Sequence, residues 1–322
     1  MKGIDIFMKQ KIQENNDLFF ILKKARGYIY YLLNKLSNYR LERKKFYNHL
    51  GYPLNLEKPS SFNEKIVWKK IYDRNPLLAT TADKFAVRSY LKKVLGEKEA
   101  NKILVPLLYV TDKPETIPFK ELPSDFVIKP NHASGCYKII KNGDYKTTEI
   151  VNICQKWLNV AYGLEKLEWA YQRIKRLIII EKFLCEDDGK YPKRYNFYMF
   201  HGKCKSIHAI SGDKRENPSV TYLDEKWNLV PAKNPFRPQV LDIMKPINHL
   251  SMMSLAEELS MPFDHVRVDL YNIYGHIYFG ELTHYTASGM LKYEPQTYDF
   301  ELGKYWKIKP KYWKKYFNFK GK

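Results

Sequence analysis

Residues 266 to 289, VRVDLYNIYGHIYFGELTHYTASG, alternate apolar and polar side chains about a central turn. That is the period of a β-hairpin with one wall buried. Arg267, Asp269 and Glu281 are set into this alternation, and a half-buried sheet tolerates charge only where it is paired or holds something. Ile273, Tyr274 and Gly275 predict a three-residue loop whose last position is left-handed. This register pairs Asn272 with His276, Asp269 with Phe279 and Arg267 with Glu281. It places Arg267, Asp269, Phe279, Glu281 and Thr283 on one face, and Val266, Val268 and Leu270 on the other. One guanidinium against two carboxylates leaves spare negative charge, which suits a hard divalent cation such as Mg²⁺. A structural ion pair is the plainer alternative.

Two other stretches carry chemistry. DFVIKPNHASGC ends a short strand on Lys129 and then turns through Ala133, Ser134 and Gly135, where exposed backbone amides beside a lysine suit phosphate oxygens. An ordinary turn with a solvated lysine reads the same way. IIIEKFLCEDDG ends a buried run on Glu181, then offers apolar Phe183 and Leu184 and the acidic Glu186 to Asp188. An adenine fits such backbone and apolar groups, and a ribose fits an acidic acceptor. Neither GxxxxGK[ST] nor GxGxxG occurs.

The remaining pattern is helical at first and rich in strands later. Residues 1 to about 48 read as helix, and Ser60 or Ser61 caps a helix over Asn63 to Lys70. TTADKFAVRSYLKKVLG reads as a helix ended by Gly96. Strands are expected in KILVPLLYVT, FVIKP, YKIIKNGDY, LIIIEKFL and VTYLDEKWNLV, with a hairpin turning at His201 and Gly202. Residues 148 to 176 and 238 to 260 read as helices. The order predicts an α+β fold.

In sequence order, LNLEKPSSFNEKIVWKKIYDRNPLLATTADKFAVRSYL, LPSDFVIKPNHASG, YLDEKWNL and VRVDLYNIYGHIYFGELT resemble the ATP-grasp superfamily. They are most similar to its teichuronopeptide-biosynthesis (TupA-like) branch of bacterial surface-polysaccharide loci, over roughly residues 53 to 306. The resemblance implies an N-terminal α/β part, a small lid and a C-terminal α+β part gripping ATP between two sheets. Boundaries follow: a basic helical extension at 1–50, ATP-grasp parts at 51–122, 123–184 (lid) and 185–305, and a basic aromatic tail at 306–322.

Residue by residue, the resemblance implies that Lys84 and Lys129 contact phosphates and that Ser134 and Gly135 form the lid loop. Glu181, Lys182, Phe183 and Leu184 would read adenine, Asp188 would hold ribose, and Arg267 would meet the γ-phosphate. Asp269 and Glu281 would bind Mg²⁺, with Thr283 at the third ligand position, where many relatives have asparagine and where an alcohol is the weaker ligand. Lys214 and Arg215 offer further cations on the phosphate side, against a plain solvated loop. Arg194 and Asn196 stand where this branch is expected to have an acidic residue and a lysine, which leaves the substrate side open. Of two histidines beside these blocks, His284 reads as packing and His132 stays undecided.

The activity implied is ATP-dependent ligation of a carboxylate to an amine through an acyl phosphate. The implied partners are a uronic acid of a capsule or O-antigen precursor and an amino acid or small amine. A glycosyltransferase, with Glu186 to Asp188 as its acidic motif, is the alternative. A formal charge of +20 favours an acidic partner, while the absence of RNP, KH or zinc-finger patterns argues against nucleic acid. Four cysteines with no CxxC pair and no cleavable signal suggest the cytoplasm. FFILKKARGYIYYLLNKL is too broken by Lys23, Lys24 and Arg26 to span a bilayer, but it is compatible with lying on an anionic inner membrane, as with packing on the body. Tyr305, Trp306, Tyr312, Trp313 and Tyr316 among lysines are placed as interfacial anchors would be, or form an exposed tail.

Overall fold

The computed structural model describes residues 16–187, 189–212, 217–310 and 312. The chain opens with helices α1 (Asn16–Leu36), α2 (Arg40–Leu50) and α3 (Phe62–Tyr72), then α4 (Leu77–Ala82), α5 (Val87–Leu95) and α6 (Glu97–Ile103). Ser61 caps α3 in a reciprocal box with Glu64, the S-x-x-E pattern visible in the sequence. The expected helix over TTADKFAVRSYLKKVLG divides into α4 and α5, because Asp83 Oδ1 accepts from the backbone of Phe85 and Ala86 and turns the chain between them.

Strands β1 (Leu107–Thr111), β2 (Phe126–Pro130), β3 (Lys138–Ile140) and β4 (Ile178–Lys182) form an antiparallel sheet in the order β1-β4-β2-β3. One face packs Phe126, Ile128, Ile140, Ile178 and Ile180 against α7 (Thr147–Asn159). The helix expected over 148–176 ends at Asn159. Beyond it, Gly163 at φ 86 lies so close to the Glu168 carbonyl that a Cβ would sit 2.7 Å from it, and short 3₁₀ turns take over.

Strands β5 (Lys193–Phe200), β6 (Lys203–Ser211), β7 (Ser219–Leu223), β8 (His265–Ile273) and β9 (His276–Thr283) form a second sheet, ordered β7-β6-β5-β8-β9. It carries the largest apolar core, with Phe197, Met199, Val266, Val268 and Leu270 facing α8 (His249–Ser260) and the N-terminal helices. The helix expected from 238 begins only at His249, because Pro246 lacks the donor a helix interior needs. Helix α9 (Thr297–Tyr305) closes the described fold, its Asp299 accepting from both nitrogens of Asn63.

The β8–β9 hairpin turns through two residues, Tyr274 and Gly275, both at positive φ, so Ile273 pairs with His276 and Asn272 with Ile277. The expected register is therefore one residue out at the tip, and Phe279 faces Leu270 rather than Asp269. A bulge at Gly280 then shifts the register again, so that Asp269 pairs with Glu281 and Arg267 with Thr283. Only glycine fits there, since a Cβ would lie 2.9 Å from the Asp269 carbonyl. The expected charged face survives because the bulge absorbs the slip.

Candidate functional site

The two sheets face each other across a cleft of about 230 Å³. From the four-stranded sheet, Val127, Lys129 and Glu181 project into it, since β2 pairs with β4 at Val127–Glu181 and Lys129–Ile179. Lys129 Nζ lies 2.5 Å from Glu181, which also lies 3.5 Å from Arg88. Burial alone would pull the Lys129 ammonium down, but the Glu181 carboxylate outweighs it and holds its pKa above the usual lysine value.

Lys84 enters from the loop between α4 and α5. Its backbone nitrogen donates to Asn131, the first residue past β2, and its Nζ donates to Ala133 at 2.8 Å. Asn131 Nδ2 donates in turn to Asp83, so the two lysine-bearing segments are bolted together. Burial lowers the Lys84 pKa, with Lys129 adding like-charge repulsion and Glu281 and Glu181 opposing. Two cations held in one cleft make a site for an anion. Ser134 and Gly135 are exposed on its rim, with Gly135 at φ 80.

At the other end, the wall turns apolar with Val105, Ile139, Phe183, Leu184 and Ile210, beside Lys182 at the end of β4. A flat base fits a slot of this kind.

The five-stranded sheet supplies the opposite wall through in-register rows. Asn196 pairs with Asp269 across β5–β8, and Asp269 with Glu281 across β8–β9. Three oxygen-bearing side chains thus sit side by side on three adjacent strands. Asp269 is fully buried and takes two hydrogen bonds of 2.6 Å from Arg267. Burial opposes the charge on Arg267, but Asp269 more than compensates and raises the guanidinium pKa. Arg267 also donates to Thr283 Oγ1 at 3.0 Å and lies 3.5 Å from Glu281.

Asp269 and Glu281 line the cleft, whereas Arg267 and Thr283 do not; they stand behind the carboxylates. The alcohol of Thr283 is engaged by Arg267 and donates to Glu281 at 3.3 Å.

Among the described residues, no three His, Cys, Asp or Glu side chains gather as a metal site. The donor set is instead two carboxylates plus the Asn196 amide, whose buried Oδ1 has no hydrogen-bond partner. An unused oxygen beside two carboxylates fits a hard cation that takes further oxygens from phosphate.

Sequence reasoning passed over Arg88 and noted Arg194 and Asn196 only as departures; Arg88 and Arg194 line the cleft, and Asn196 lies buried beside Asp269 on the adjoining strand. Asn196 emerges only when strand register is known. Asp188, Lys214 and Arg215 lie outside the described residues.

The two histidines have structural surroundings. His284 is buried, bonded to Thr81 Oγ1 at 2.7 Å and packed on Phe263. His132 is buried against the Val160 carbonyl, and desolvation followed by Arg176 lowers its pKa to about 4. Trp306 is no interfacial anchor: it is fully buried, donates to Asp264 at 2.9 Å and lies beneath Lys69. Trp313 and Tyr316 fall outside the described residues. No described helix is long and apolar enough to cross a membrane.

The family model for TupA-like ATP-grasp proteins matches residues 64–307. A search of curated proteins finds no match. Among solved structures, the L-amino acid ligase of Bacillus licheniformis is 13% identical with a TM-score of 0.46, covering 81% of this chain and 58% of its own. The D-alanine–D-alanine ligase of Bacillus anthracis complexed with ATP is 16% identical with a TM-score of 0.36, covering 64% and 54%. That of Helicobacter pylori is 12% identical with a TM-score of 0.40, covering 70% and 61%. The chain thus spans about three-fifths or less of the length of each of these structures.

Proposed function

Because the chain belongs to the TupA-like ATP-grasp family, we propose that it is an ADP-forming ligase joining a carboxylate to an amine. The carboxylate we assign is a uronic acid of a bacterial capsule or O-antigen precursor, and the nucleophile an amino acid or small amine. The observation that carries the reading is the convergence of Lys84, Lys129, Asp269 and Glu281 on one cleft whose far end is apolar.

In this reading the base occupies the slot at Phe183 and Leu184, and the phosphates run past Lys129 and Lys84 toward the opposite wall. Asp269, Glu281 and the Asn196 amide would hold Mg²⁺, which would supply charge withdrawal from the phosphate oxygens. Arg267 orients Asp269 from behind, its guanidinium fixed by two bonds to one carboxylate. Arg194, at the cleft wall beside Asp269, supplies the cation for the incoming carboxylate.

A carboxylate oxygen attacks the γ-phosphorus, the bond to the β–γ bridging oxygen breaks, and ADP leaves an acyl phosphate. The amine nitrogen then attacks the acyl carbon, phosphate departs, and loss of a proton leaves the amide. The two lysines neutralise charge and hold the reacting ends in line, so positioning and electrostatics do most of the work.

Isothermal titration separates this from sugar transfer. The ligase binds the magnesium complex of a non-hydrolysable ATP analogue and ignores UDP-sugars. Binding of a UDP-sugar alone would assign the cleft to a glycosyltransferase.

A further inference from the structure

Helix α1 is attached by its polar side and turns its apolar side outward. Leu22, Ile29, Leu32, Leu33 and Leu36 are 46–84% exposed, and their spacings of seven, three, one and three fall on one stripe of a helix. The opposite side carries the attachments. Gly27 packs so tightly that a Cβ would lie 2.9 Å from Leu164. Asn34 is fully buried, donating to the Tyr30 carbonyl and accepting from the Glu42 backbone at 2.9 Å each. At the edge of the stripe, one turn on from Leu22, Arg26 adds an exposed ion pair to Glu165 at 3.0 Å.

This arrangement inverts that of a helix folded onto a protein core, where the leucines would face inward.

The same helix pair is rich in exposed cations: Lys24 and Lys35 on α1, and Arg40, Lys44 and Lys45 on α2. Between residues 22 and 45 the sequence has a single carboxylate, Glu42, and that one is fully buried against Lys70 at 2.7 Å.

A second copy of the chain is a poor occupant. A twofold contact on this face would bring these cations onto their own images with no exposed carboxylate from the segment to answer them. An anionic lipid surface satisfies both halves, taking leucines into its acyl boundary and lysines at its headgroups. The chain's +20 charge adds long-range attraction of the same sign.

We propose that the outward stripe of α1 docks the protein on an anionic lipid bilayer, lying in the interface plane. The anchor is stiffly joined to the body. Tyr30 donates to Glu42, Glu42 pairs with Lys70, and Lys70 donates to Ser288 in the loop that follows β9. Docking therefore holds the cleft in a fixed attitude to the bilayer. The proposal is independent of the ligase reading.

Co-sedimentation of the full chain with vesicles tests it, using phosphatidylcholine mixed with phosphatidylglycerol against phosphatidylcholine alone. The chain is expected to sediment with the anionic vesicles, to be released by high salt, and to stay in solution with the neutral ones. Ile29→Glu with Leu33→Glu should lower the partition coefficient at least about tenfold with an unchanged melting temperature, because both side chains already face solvent. Lys24→Glu with Lys35→Glu should weaken it by a similar factor, each basic residue near the surface contributing about fivefold.

Three results overturn the proposal. The first is a wild-type chain that stays in solution, and the second is a leucine-face variant that binds as well as wild type. The third is a dimer that the leucine-face variant converts to monomer, which would give the stripe to a second copy.

Discussion

Replacing Asp269 with asparagine tests whether the hairpin charges are a structural unit as well as a site. Asp269 is fully buried and accepts two 2.6 Å bonds from Arg267, whose side chain is 13% exposed. Asparagine keeps one acceptor but turns its amide nitrogen toward a guanidinium that can only donate. The cation then keeps the Thr283 hydroxyl at 3.0 Å and the Glu281 carboxylate at 3.5 Å, which is 30% exposed and partly screened by solvent. Removing one partner of a buried pair costs about 3–5 kcal/mol, and the Glu281 contact places this case near the lower figure. Glu281→Gln removes the longer, more exposed charge pair to Arg267, for which about 1 kcal/mol or less is expected. Urea denaturation of the two variants should therefore separate them by roughly 2 kcal/mol or more, while both lose most ADP formation. Equal stability of Asp269→Asn and wild type, or a greater loss in Glu281→Gln, would refute the reasoning.

Three other outcomes follow from the geometry. Lys129→Met should weaken binding of ADP and ATP by roughly ten- to a hundredfold in titration calorimetry, the worth of one charge-assisted contact; an unchanged dissociation constant would return Lys129 to a structural pairing with Glu181. Asn196→Ala should raise the dissociation constant for Mn²⁺, read by electron paramagnetic resonance with ADP present, at least about fivefold, with Asn196→Asp restoring it; no change in Asn196→Ala would mean the amide oxygen holds no metal. His132, His208, His265 and His284 are buried with pKa values pushed down chiefly by desolvation, so the unfolded state binds more protons and stability falls as pH drops below about 6.5. Stability should therefore fall from pH 7.5 to 5.5 in urea denaturation, with Asp299, raised to about 6 mainly by burial, offsetting part of the loss. Flat stability over that range would show that the histidines are not held neutral.

Much of this was legible in the sequence because local rules and the fold agree. The hairpin turning at His201 and Gly202, the Ser61 cap and the short strand that carries Lys129 each need only neighbours in sequence. The charged face of β8 and β9 was legible as a set, but its register was not, because a bulge at Gly280 depends on how closely the Asp269 carbonyl approaches. The Asn196–Asp269–Glu281 row was hidden for a related reason: residues 73 apart in sequence, Asn196 and Asp269, must be aligned before an isolated asparagine joins a row with two carboxylates. Arg267 presented itself as a cleft cation, yet its pairing with Asp269 keeps it behind the wall. Trp306 misled in the opposite direction, since a lysine-rich context hides that its indole reaches Asp264 in the core.

The most direct test of the central claim follows an oxygen atom. With a uronic acid labelled by ¹⁸O in its carboxyl group, an amine and MgATP, the account predicts that ADP release is accompanied by inorganic phosphate carrying one labelled oxygen, seen by mass spectrometry. The label reaches phosphate because the carboxylate oxygen becomes the bridge of the acyl phosphate and leaves with phosphorus. Turnover that forms the product while releasing only unlabelled phosphate, or that consumes a sugar nucleotide and leaves ATP untouched, would contradict it.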